Sequence, residues 1–189
     1  PKIAEGAAAF GAHGTPFYMP VGYELMGDVP VKYWSQGEFI SGIMALGAPR
    51  YTEKIFVKKE PCLNCPIGCH RYIKVEKPEK NAWEGAGPEY EAIAMFGTNC
   101  LVDSLEAVAK ANDLCNRYGL DVISAGALVG FAMECYENGW ITKNDTGGIE
   151  LKWGDGDAVV AMVEKIALRK DLGDVLAEGI KRAAEKIGK

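Results

Sequence analysis

Histidine is nearly absent from this chain: His13 and His70 are the only two in 189 residues. A metal centre built mainly from imidazoles is therefore out of reach. Charge of one sign is missing too, since 21 Lys and Arg face 26 Asp and Glu, a formal net charge of -5. That balance excludes a nucleic-acid binder working through basic patches, and no acidic or basic tail stands out. Long apolar runs are also lacking. The longest, residues 122–133, is broken by Ser124, Gly126 and Gly130 and falls short of the ~20 residues that cross a bilayer. No charged, apolar and cleavable leader opens the chain. The expectation is a protein of the reducing cytoplasm, without disulfides, binding neither nucleic acid nor membrane. The first residue is Pro1 rather than Met, which reads as a piece of something longer.

Period-2 alternation is scarce, and residues 73–76 are the best strand candidate. Helical signals dominate instead. An Ala-rich helix is expected over residues 2–12, stopped by His13-Gly14-Thr15-Pro16. The Gly-, Pro- and aromatic-rich stretch from Phe17 to Tyr51 is expected to be irregular, apart from a helix over residues 36–46. Residues 77–87, with Pro78, Gly85 and Gly87, read as an exposed turn or hairpin tip. Beyond Pro88, Asp103-Ser104-Leu105-Glu106 is a capping-box signature, and Gly119 is the expected left-handed helix stop. Asp121 is placed to cap the next helix through Ser124. That helix, residues 122–137, is apolar nearly all round and should be the most buried. Two amphipathic helices, residues 157–169 and 173–187, complete an all-α, multihelical single domain with an irregular N-terminal third and a Cys-rich loop.

That loop, Cys62-Leu63-Asn64-Cys65-Pro66-Ile67-Gly68-Cys69, carries the strongest chemical signal. Thiolates at these intervals suit three corners of a [4Fe–4S] cube, which needs one more cysteine. There is no second Cys-x-x-Cys, and Cys100, Cys115 and Cys135 stand singly in apolar stretches, as small buried hydrophobes do. A structural zinc completed by His70 or Cys100 competes with this reading, as do plain reduced thiols. A radical-SAM loop has the reverse order of spacings. Two further motifs are weaker alone. Gly87-Pro88-Glu89-Tyr90-Glu91 delivers two carboxylates to a helix start, where acids are common anyway. Asn116-Arg117-Tyr118-Gly119-Leu120-Asp121 is a helix corner whose free amides and carbonyls beside a carboxylate suit a flat heterocycle.

Together, residues 61–71 (PCLNCPIGCHR), 87–91 (GPEYE), 109–124 (AKANDLCNRYGLDVIS) and 131–139 (FAMECYENG) resemble the tungsten- or molybdenum-pterin aldehyde ferredoxin oxidoreductase family. The resemblance covers most of the chain from about Pro16 onward. It implies the middle helical domain of a larger enzyme that oxidises aldehydes to carboxylic acids and passes electrons through a [4Fe–4S] cluster to ferredoxin. Cys62, Cys65 and Cys69 match three of the family's cluster ligands, the fourth coming from another domain. Asn116, Gly119, Leu120 and Asp121 match a pterin-binding corner. Glu91, ahead of Glu89, matches an acid near the metal that would serve as general base. Two positions depart from the family pattern. Asn116 stands where Asp is usual, replacing a charge-assisted contact with a weaker neutral one. Lys110-Ala111-Asn112-Asp113 stands where some members bind an interface metal through Glu-x-x-His, so none is expected. The fragment alone is expected to be inactive. The alternative is a zinc-stabilised helical module or a small iron–sulfur electron carrier.

Overall fold

The computed structural model describes residues 7–188. Most of the expected first helix lies in this range, and residues 2–6 lie outside it. Helix α1, Ala8–His13, ends where Gly14 takes φ 71°. A 3-10 turn, Thr15–Phe17, leads into α2, Tyr18–Val21, and one π-helical turn, Gly22–Met26. Helix α3, Ile40–Leu46, is shorter than expected. Its start is delayed by Phe39, which is held at φ -154° just outside the helix. Helix α4, Arg50–Lys54, follows.

A small antiparallel sheet comes next, in the order β1-β2-β3: β1 Phe56–Lys59, β2 Arg71–Val75 and β3 Trp83–Ala86. Only part of β2 was legible from alternation. Strands of four or five residues carry little periodic signal, and in β2 one of the three buried positions is an arginine, Arg71, beside Ile73 and Val75. Lys59 pairs with Arg71 and Tyr72 with Ala86. The cysteine loop is thus the connection from β1 to β2, closed at its neck by the Glu60 amide donating to the His70 carbonyl at 3.1 Å. Residues 76–82 form the β2–β3 connection, with a 3-10 turn at Glu79–Asn81, so most of the rest of the stretch expected to be a turn, residues 83–86, is strand β3 itself.

The remainder is helical: α5 Tyr90–Phe96, α6 Leu105–Tyr118, α7 Val122–Glu137, α8 Gly156–Leu168, α9 Leu172–Leu176 and α10 Ile180–Ile187. The cap of α6 sits one residue later than the box pattern places it. Ser104 is the N-cap, accepting from the Ala107 amide at 3.3 Å, and Glu106 turns to Lys54 at 2.6 Å. Gly119 stops α6 at φ 68°, and Asp121 caps α7 by accepting from the Ser124 amide at 2.7 Å. The last expected helix is two helices, broken where Gly179 takes φ 91°. The first of these presses close to α8, since a Cβ on Gly173 would lie 2.2 Å from the Lys165 carbonyl oxygen.

Helix α7 runs through the middle, with Leu128, Val129, Phe131, Ala132 and Met133 buried. It meets α5 so closely that a Cβ on Gly126 would lie 2.5 Å from Met95 Cβ. All the buried apolar residues described except Val31 form one continuous core from Met19 to Ala183. The architecture is mostly helical, as expected, with the small sheet added. Among the described residues no helix is long and apolar enough to cross a membrane.

Candidate metal and cofactor site

The cysteine turn is at the surface. Cys62 is exposed, Cys65 and Cys69 are half-buried, and Leu63 at the tip is 93% exposed. The Cys65 amide donates to the Cys62 carbonyl at 3.0 Å, and Asn64 and Gly68 at φ 59° and 62° bend the chain back on itself. Backbone amides of Gly68 and Ile67 reach the Cys65 sulfur and lower its pKa, because they stabilise the thiolate. Burial raises that of Cys69, with Glu89, Cys65 and Cys62 adding to the effect. Among the described residues no three His, Cys, Asp or Glu side chains converge at the spacing of a single metal ion. The other cysteines lie in the core: burial pushes Cys100 and Cys115 up to about 12 and Cys135 to about 11.

The turn is tied to the rest of the molecule by residues the sequence did not mark as functional. Arg71, only 2% exposed, donates from Nη1 to the Gly68 carbonyl at 2.8 Å and more weakly to that of His70 at 3.5 Å. Its Nη2 donates to the carbonyls of Phe10 at 3.1 Å and Gly11 at 3.0 Å, at the end of α1. Helix α1 can approach because its glycines leave room. A Cβ on Gly14 would lie 2.8 Å from the Cys69 carbonyl oxygen, and one on Gly11 3.2 Å from that of Ile67. Next in the chain, Thr15 accepts from the Tyr90 amide at 2.8 Å and donates its hydroxyl to the Glu89 carboxylate. The breaker at residues 13–16 therefore joins the cysteine turn to the acidic helix start. Only the local signal for a break was visible in sequence.

Glu89 and Glu91 open into a cavity of about 640 Å³ lined also by His70, Asn112, Asn116 and Asp121. This one hollow receives the residue following the last cysteine of the turn, both acids and two positions of the helix corner. Asn112 is steadied by donating to the Ala86 carbonyl at 3.2 Å. Not every expected contact gathers here. Gly119 does not line the cavity, and Leu120 faces a neighbouring hollow of about 300 Å³ that it shares with Asp121. The three cysteines stand outside the wall, reached through His70, whose Nδ1 lies 3.2 Å from the Glu60 carbonyl oxygen. The Asp121 carboxyl is held below its usual range by the amide of Ser124 that it caps. Asp113, in the stretch expected to lack an interface metal, is buried and paired with Arg117 at 2.7 Å and Lys110 at 3.3 Å.

The chain has known relatives. The family model described as aldehyde ferredoxin oxidoreductase, domains 2 and 3, matches residues 2–189. The chain belongs to the aldehyde ferredoxin oxidoreductase family. Within that family it is similar to the tungsten-containing aldehyde ferredoxin oxidoreductase of Thermococcus kodakarensis, with 43% identity over 72% of this chain and 22% of the relative. The Pyrococcus furiosus protein of the same name is 35% identical over 89% of this chain and 26% of its own length. An aliphatic sulfonate oxidoreductase, WOR-like subunit, of the same organism is 32% identical over 88% of this chain and 26% of that protein. The chain thus spans about a quarter of the relatives it matches. Among solved structures, the active-site complex BamBC of benzoyl coenzyme A reductase shares the fold, with a TM-score of 0.72 at 23% identity over 94% of this chain and 26% of that one.

Proposed function

We propose that this chain supplies part of the site of a cytoplasmic oxidoreductase that converts aldehydes to carboxylic acids at a tungsten- or molybdenum-bis-pterin centre and delivers the electrons, through a [4Fe–4S] cluster, to ferredoxin. The observation that supports this most is the cavity of about 640 Å³ shared by His70, both glutamates and the Asn116–Asp121 corner, directly beside the cysteine turn.

The donor set fits such groups. Three thiols on an open turn, one already receiving amide hydrogen bonds, are suited to holding iron while leaving a flank for a fourth thiolate from another domain. When bound, the pterin-held metal supplies the two-electron oxidation and the cluster the one-electron relay. The protein's part is binding and proton handling. Asp121 accepts from the Ser124 amide and lines the cavity, where its carboxylate can also accept from an N–H of the pterin. Asn116 adds a neutral contact, and the backbone at Gly119 and Leu120 adds carbonyls, the amides of both being taken by the Cys115 carbonyl. Glu89 is tied to the Thr15 hydroxyl, so Glu91, exposed at the cavity, is the better general base, positioned to take a proton from water or substrate.

The test uses the full-length protein purified without oxygen. Iron, sulfide and tungsten or molybdenum should be present, with aldehyde-dependent reduction of ferredoxin. One tightly held zinc per chain, without iron or sulfide, would overturn this reading in favour of a zinc-stabilised module. An aliphatic sulfonate belongs in the substrate panel, given the similarity to a relative of that name. Glu91→Gln should lower turnover about 10²- to 10⁴-fold, the usual weight of a general base, with metal content unchanged. Normal turnover in that variant would remove Glu91 from the mechanism.

A further inference from the structure

Arg71 is the largest fully buried side chain of the protein's described residues, and the reaction as outlined gives it no task. Its surroundings are unusual for an arginine. Among the described residues no carboxylate pairs with it directly, and its hydrogen bonds go to the carbonyls of four residues: Gly68 and His70 on one side, Phe10 and Gly11 on the other. Its Nε is buried without a partner among the described residues. The guanidinium carbon lies 5.3 Å from the centre of the Phe56 ring, so the plane is clamped as well as bonded.

A charge placed this way costs desolvation and gains only neutral acceptors. A purely structural tie between two strips of backbone could be made without it. The position gives the charge a reason: Arg71 is two residues beyond Cys69 and bonds the carbonyl of the residue preceding it. Burial works against the charge, while Tyr51, Glu89 and Cys69 favour it.

We propose that Arg71 is a positioning residue of the cluster turn, holding the Gly68–Cys69 backbone against helix α1 and setting a fixed positive charge beside the bound cluster. This rests on the cluster reading given above. Two consequences separate the roles. The planar fork spans both sides at once, which a single ammonium cannot do. The charge favours an added electron on the cluster, which any retained cation preserves and a neutral side chain does not.

The experiment compares full-length unsubstituted protein, Arg71→Lys and Arg71→Met, each loaded with iron and sulfide under anaerobic conditions. Arg71→Lys should keep the cluster's midpoint potential and its reduced-state electron paramagnetic resonance, yet lose iron to a chelator about tenfold faster. Arg71→Met should lose iron equally fast and also shift to lower potential, by a tenfold change in the reduced-to-oxidised ratio, ~59 mV for one electron. If Arg71→Met does not accumulate, the chelation rate of Arg71→Lys decides alone. Chelation at the unsubstituted rate, with the apo-protein melting unchanged, overturns the positioning role. A loaded Arg71→Met at the unsubstituted potential overturns the electrostatic one. Failure of the unsubstituted protein to take up iron and sulfide would instead strike the cluster reading itself, and the proposal with it.

Discussion

Cys65 and Cys100 are the same side chain in opposite surroundings. The first sits on an open turn with two amides lowering its pKa, and the second is buried and pushed up to about 12. A raised thiol pKa leaves the group protonated at neutral pH, and burial also blocks reagents. In metal-free protein at pH 7, iodoacetamide should therefore label Cys62 and Cys65 first. Cys100, Cys115 and Cys135 should stay unlabelled until the chain is unfolded, as read by peptide mass spectrometry. Early labelling of Cys100 would contradict the packing. Gly87 shows the same dependence on surroundings in a different way. A Cβ there would fall 2.1 Å from the buried Tyr51 hydroxyl and 2.6 Å from Ile73 Cγ2. Gly87→Ala should cost about 1–3 kcal/mol through overpacking, measured by denaturant titration. The sequence marked Gly87 only as the entry to an acidic motif. Its crowding comes from side chains 14 and 36 residues earlier in the numbering, which no local pattern reports.

Helix ends were the most legible elements, because caps are local chemistry. Gly119 and Asp121 act as expected, and Ser104 departs by a single position. Asp121→Ala removes the acceptor for the Ser124 amide and should cost about 1 kcal/mol of stability, a fall in Tm of roughly 2–4 °C for a chain of this size. Calorimetry on the unloaded protein would check this apart from any cofactor effect. Strands were less legible. β1 and β3 each have four residues, too few to repeat a period. The break at Gly179 was missed for a related reason: apolar spacing continues across it, while the chain turns where Gly179 takes φ 91°.

At the scale of the whole molecule, the continuous apolar core contains none of Cys62, Cys65 or Cys69. Cys65→Ser should therefore abolish iron and sulfide uptake while leaving helix content nearly unchanged by far-ultraviolet circular dichroism. Collapse of that signal would mean that the turn is part of the folding core. What the sequence by itself determined was the spacing of the thiols, the capped helices and the family they indicate, since each is written in neighbouring residues. Only the tertiary structure decided that His70 beside the turn, the two acids, and Asn116 and Asp121 of the helix corner line one cavity. Their meeting depends on Arg71 reaching Phe10 across 61 positions and Thr15 reaching Glu89 across 74. Contacts over such separations are set by which surfaces pack together, and no short stretch of chain encodes them.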